Sequence, residues 1–169
     1  MNILDLKAHV LAEIRTAFSD VPFPEHLGLR AAMSLDWYGS GEPSPLEIHA
    51  PWWEIPFDEL RECELGATYL DPAGIEFYLP AYLTMDLILS TRFTFLTALS
   101  LLDPEYGDLY ERFLRLNARI VGKKKRACRS YLQFARTRAI EGTEYEKTDI
   151  DRLTRILDHD FWKQPSGDT

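Results

Sequence analysis

The chain has 169 residues, 46% of them hydrophobic and 12% aromatic, and a formal net charge of −8. That length suits one hydrophobic core and is short for two domains, and the aromatic content argues against disorder. No apolar run reaches the roughly 18 residues of a membrane helix, and Cys63 and Cys128 are too few for a disulfide framework or a cysteine-held metal.

Near the start, Asp5 and Glu13 stand where a signal peptide needs a basic start and an unbroken apolar run. With two free thiols, the expectation is a reducing, cytoplasmic setting. Residues 3–18 place Ile3, Leu6, Val10, Ile14 and Ala17 or Phe18 at helical spacing, with Asp5, Lys7, Glu13 and Arg15 on the wet side. Pro22 and Pro24 end that helix, and Phe23 between them is expected to dock into the core. Residues 26–38 admit a short helix or a loop. Residues 38–45, rich in Gly, Ser and Pro, form the least structured segment. Of the adjacent pair Trp52 and Trp53, one is expected to pack and the other to face outward. Residues 57–63 predict a short helix and 64–67 a turn.

The stretch 69–90 is the longest nearly apolar run and the expected centre of the fold. Asp71 followed by Pro72 is a helix start: the carboxylate caps free N–H groups, and proline lacks a donor where none is needed. Pro80 predicts a kink or two abutting helices. Phe93, Phe95, Leu96, Leu99 and Leu102 continue the core at a period nearer helix than strand. Asp103 and Pro104 repeat the helix start, with Tyr106, Leu109, Tyr110, Phe113 and Leu114 as the buried side. Residues 117–140 predict a long helix with Ala127, Cys128, Tyr131 and Leu132 inward. Residues 141–147 read as a linker, and Thr148 as the cap of a last helix. The fold expected is one all-α domain over 1–164 of about six helices, with a frayed tail at 165–169. Its proline-kinked central pair would pack on the long basic helix and the last helix. The alternative is a small α+β fold with strands within 27–35 or 93–99.

Charge is unevenly placed. From Asp36 to Glu64 there are eight acidic residues against Arg61 alone, whereas residues 112–138 hold ten basic residues and no acidic one. Such asymmetry steers partners or lets one part of the fold neutralise another. The acidic segment interleaves Trp37, Tyr38, Trp52 and Trp53 with Glu42, Glu47, Glu54, Asp58, Glu59 and Glu62, the aromatic anchors and like charge that capture a basic protein partner. The other reading is a solvated segment whose tryptophans fill the core. The basic helix offers Arg119, Lys123, Lys124, Lys125, Arg126 and Arg129 as phosphate contacts for nucleic acid. Against this stand the chain's overall acidity and the lack of a helix-turn-helix signature or stacking platform.

Signs of catalysis are sparse. No H-E-x-x-H, C-x-x-C or glycine-rich phosphate loop occurs, so neither a metal nor a cofactor is expected. His9 stands four residues from Glu13, and one such pair does not hold a metal. Glu76 and Asp86 lie in the apolar stretch about 80° apart on an unbroken helix. They are the candidates for a small hydrolase-like enzyme. The structural alternative makes each a rim group or the partner of an arginine such as Arg92.

The phrase YLPAYL at 78–83 resembles that of a group of small uncharacterised bacterial proteins carrying a YYLPAYL-like motif. The prolines at 22 and 24, Trp52 or Trp53, the run 70–83 and the helix around 126–132 extend the likeness loosely over two-thirds of the chain. Phe77 stands where the group commonly has a second tyrosine. The group has no assigned activity, and similar small proteins occur among the immunity proteins of bacterial toxin systems. The resemblance implies a protein-binding role and no catalytic residues. The leading expectation is therefore a cytoplasmic protein-binding domain, an immunity or antitoxin-like inhibitor of a basic toxin. Nucleic acid and membrane are not the expected partners.

Overall fold

The computed structural model describes residues 2–39, 41–105, 119–142 and 145–163. The fold is all-α: among the described residues there are eight α-helices, six of them of seven or more residues, and no strand. Helix α1 (Ile3–Ala17) starts where the Asn2 side chain accepts from the Asp5 N–H at 2.9 Å, and buries Val10, Ile14 and Ala17. Phe23, between the two prolines, packs edge-on to Phe77, ring centroids 5.3 Å apart.

Residues 26–38 resolve in favour of a helix. Helix α2 (Leu29–Tyr38) ends at Gly39, whose φ of 67° turns the chain and lets its N–H donate to the Leu35 carbonyl at 3.0 Å. A 3₁₀ turn (Trp52–Glu54), helix α3 (Phe57–Glu62) and a second 3₁₀ turn (Leu65–Tyr69) follow. The second turn lies so close under α2 that a β-carbon on Gly66 would stand 2.8 Å from the Met33 backbone nitrogen. Only glycine permits that approach.

Helix α4 (Pro72–Leu89) is the centre. Asp71 caps it as expected, accepting from the Gly74 N–H at 2.7 Å. Of the two outcomes expected at Pro80, a kink or two abutting helices, the second does not occur: one helix runs through the proline. Proline removes one intrahelical hydrogen bond and crowds the preceding turn. Here Leu79, Ala81, Tyr82 and Leu83 are all buried around it, so a break would expose core on both sides. The chain turns ten residues later, at Ser90, which takes φ 54° and closes α4 by donating to the Asp86 carbonyl at 2.9 Å. Thr91 then caps helix α5 (Arg92–Leu102).

The helix expected after Asp103 and Pro104, with Tyr106 to Leu114 inward, lies outside the described residues, as does the tail at 165–169. Helix α6 (Gly122–Glu141) begins later than the expected 117, and residues 117 and 118 are outside the described set. It packs on α1 and on helix α7 (Lys147–Asp158), rather than chiefly on the central helix. The cap of α7 is Glu146, not Thr148: the Glu146 N–H donates to Asp149 Oδ2 at 3.0 Å, and the two carboxylates form a reciprocal capping box. A last short helix, α8 (Asp160–Lys163), buries Trp162, whose indole N–H donates to the Leu102 carbonyl at 3.1 Å. One apolar cluster runs from Val10 to Trp162. No described helix is long and apolar enough to cross a membrane.

Candidate partner-binding surface

The two tyrosines of the YLPAYL phrase are structural ties. Both are buried on α4. The Tyr82 hydroxyl donates to the Leu60 carbonyl of α3 at 3.1 Å, and the Tyr78 hydroxyl donates to Glu47 Oε1 at 3.1 Å. Burial pushes both phenols up, so they stay neutral donors.

Glu47 is a correction to the expected partner surface. Helix α2 has Gly28 at its N-cap and no capping side chain of its own, and Glu47 replaces it from 18 residues away. Its carboxylate accepts from the N–H groups of Leu29 (2.9 Å), Arg30 (3.0 Å) and Ala31 (3.2 Å). A negative group on the positive end of a helix is stabilising there, and it is not free for a partner. Glu59 is likewise turned inward. It is 7% exposed and bound to Arg30, which also donates to Glu62 at 3.1 Å. Trp52 is buried, its indole N–H donating to the Phe18 carbonyl at 2.9 Å. Trp53 faces outward beneath Arg15 of α1, the guanidinium 3.5 Å from its ring centroid. Beside it Glu54 is exposed.

What remains at the surface gathers at the far end of α2. Arg30, Met33, Ser34, Trp37 and Tyr38 recur at three- and four-residue steps, one stripe of the helix. With Ser44, Glu62 and Cys63 they line a groove of about 410 Å³. Trp37 is 61% exposed and Tyr38 76%, their rings edge to face with centroids 6.2 Å apart. Glu42 and Asp58 are also exposed in the loop and helix beside this groove, and Asp58 pairs with Arg61 at 3.7 Å. Of the residues lining the groove, Arg30 and Glu62 are charged, one of each sign, while the segment 36–64 that supplies most of the lining is acidic overall. The Cys63 thiol is pushed up to about 11 by burial and by Glu59, which keeps it an inert thiol rather than a nucleophile.

The basic helix is largely committed within the fold. Arg119 donates to Glu76 Oε2 at 2.8 Å, and Lys124 reaches the other oxygen. Lys123 pairs with Asp20 at 3.3 Å, Arg129 donates to the Trp162 carbonyl, and Lys125 is buried with its ammonium 4.3 Å from the Phe161 ring centroid. Arg126 stays exposed on the α1–α6 side. Glu76 and Asp20, which neutralise Arg119, Lys124 and Lys123, lie outside the acidic segment 36–64.

Glu76 and Asp86 are buried, at 7% and 0% exposure, so neither is a rim group. Asp86 accepts from the Thr94 hydroxyl (2.9 Å), the Tyr131 hydroxyl (2.7 Å) and Arg138 Nη2 (2.7 Å). Its arginine is Arg138, not Arg92, which binds Glu146 and Asp149 instead. Carboxylates so held are anchors between α4 and the basic side chains of the α6 region. Among the described residues no group of three or more His, Cys, Asp and Glu could hold a metal.

A second recess, of about 320 Å³, opens between the 65–69 turn, α5 and α7. Glu64, Leu65, Leu96, Thr97, Ser100 and Arg152 are among its lining. Glu64 accepts from the Thr97 hydroxyl through Oε1, and burial raises its carboxyl above the usual range. Spacing offers no sign of this site, since Glu64 and Thr97 are 33 residues apart.

The fold and these surfaces define a small all-α protein with capped, ion-paired helices and half-open recesses. The chain belongs to a family of unknown function, DUF6714, whose model matches residues 6–164. No curated protein and no solved structure matches it.

Proposed function

We propose that the chain is a protein-binding domain whose contact surface is the α2 stripe ending in Trp37 and Tyr38, and whose partner presents a basic segment. The observation that carries this is two adjacent large aromatic side chains, 61% and 76% exposed, at the lip of a groove lined mostly by residues of the acidic segment 36–64. Leaving a Trp and a Tyr in water forgoes about 1.5–3 kcal/mol of burial each, unless a partner covers them. Trp and Tyr are also the residues that dominate binding energy when desolvated at an interface, and surrounding carboxylates raise the encounter rate with a cationic surface. A basic toxin domain, inhibited by capping of its cationic surface, is the partner this chemistry fits best.

The test is complex formation between the chain and proteins encoded beside its gene, read by co-elution at low and moderate salt. The expected result is a complex that weakens with salt and loses at least tenfold in affinity on Trp37→Ala or Tyr38→Ala. Thermal stability should stay unchanged in both variants, because neither side chain is buried. A complex indifferent to both substitutions, or none with any neighbour, overturns the reading.

A further inference from the structure

Buried acids in this fold follow one rule. Glu59 has Arg30, Glu76 has Arg119 and Lys124, Asp86 has Arg138, Asp103 has Arg152 and Arg155, and Asp149 has Arg92. Glu64 departs from it. Half-buried on the wall of the 320 Å³ recess, it has no cationic partner among the described residues, and its protein contact is the Thr97 hydroxyl on Oε1. Arg152 lines the same recess but is turned to Asp103, to which its Nε donates at 2.9 Å.

We propose that this recess is a binding site for a primary alkylammonium group, with the cation on Glu64 and the alkyl chain on Leu65, Leu96 and Leu101. It lies apart from the α2 groove and does not depend on the protein-binding reading. Three features select the ligand. A half-buried carboxylate without a counter-charge favours a cation that supplies one. Only Oε2 lacks a protein donor, which suits a compact ammonium better than a guanidinium that takes both oxygens at once. Leu65, Ala67, Leu96 and Leu101 give the wall an aliphatic side, the polar side being Thr68, Thr97, Ser100 and Arg152, whose Nη2 donates to Ser100 Oγ at 3.4 Å, and the volume lies at the small end of ligand sites. One carboxylate is too few for a metal ion, which needs several oxygen ligands.

The experiment titrates the full-length chain with n-pentylammonium, with 1-pentanol and tetramethylguanidinium as controls, by calorimetry and by amide chemical shifts. A ligand of six heavy atoms is expected to bind in the millimolar range or tighter. Shifts should concentrate in residues 64–68 and 96–101, with neither control saturating. Glu64→Gln should weaken binding at least tenfold. Its melting temperature should be equal to or above the wild type's, which a merely structural carboxylate would not allow. A parallel arm with an acetylated, amidated Ala-Lys-Ala peptide separates the sources: tighter binding of the peptide assigns the site to a lysyl side chain, tighter binding of the amine to a free amine. Failure of both to saturate, equal binding of pentanol, or undiminished binding by Glu64→Gln overturns the proposal.

Discussion

Asp86 is a fully buried carboxylate and Glu64 a half-buried one, and the protein treats them in opposite ways. Asp86, at the end of α4, is enclosed by Thr94, Tyr131 and Arg138. Glu64, at the edge of α5, receives one hydroxyl and opens on a recess. A buried charge persists in a fold when its partners replace its water, so Asp86 is explained by the interior alone. Glu64 is not. The contrast separates a carboxylate that holds helices together from one that is left to meet something else.

The largest effect that can break this contrast is at Asp86. Asp86→Ala leaves Arg138 charged and buried without its partner, and should cost about 3–5 kcal/mol by chemical denaturation. A loss below about 1 kcal/mol would mean that Asp86 does not anchor α4 to α6.

Next comes the long-range cap. Gly28→Ala drives a β-carbon to 2.2 Å from the Glu47 carboxyl carbon, so Glu47 must leave the start of α2. Both Gly28→Ala and Glu47→Ala should cost about 1–2 kcal/mol, and the double variant less than their sum, because the two changes remove the same cap. Additive losses would show that Glu47 does not act through the α2 amides.

The smallest effect has the opposite sign. Burial raises the folded Glu64 carboxyl from its ordinary 4.5, so ionising it is harder in the folded chain than in the unfolded one. Its penalty is absent below the unfolded value and develops as pH rises through and above it. Glu64→Gln should therefore melt about 1–2 °C higher than wild type at pH 7, with the gain vanishing near pH 4. A lower melting temperature at pH 7 would put Glu64 with Asp86 as a structural group.

A chemical check bears on the groove. Cys63 is pushed up to about 11 and Cys128 is held protonated by complete burial. Neither thiol should react with a disulfide reagent at pH 8 within minutes, and both should react at once in denaturant. Rapid modification of Cys63 in the native chain would show that the α2 groove opens wider than its lining here.

The helices were legible because their signals are local. Asp71 and Pro72 start α4, the 3.6-residue stripes of α1 and α6 face inward, and one of the two tryptophans at 52 and 53 is buried. That Pro80 does not divide α4 has a physical reason: propensity counts a lost hydrogen bond and a clash, whereas core packing on both sides keeps the helix whole. Thr148 is a good cap by type, but the reciprocal bonding of Glu146 and Asp149 holds that place.

The roles of the charges were not legible. Residue order shows an acidic segment and a basic helix, and it determines that the chain is helical, single-cored and without a catalytic motif of recognisable spacing. Pairing depends on which side chains meet in space, across 31 residues for Tyr78 with Glu47 and 52 for Arg138 with Asp86. Tertiary structure alone decided that Glu47 caps a helix, that Glu76 and Asp86 are saturated, and that Trp37, Tyr38 and Glu64 are the groups left open. Local periodicity reports how a segment folds. Which charges find partners is settled only when distant segments pack together and water is removed between them.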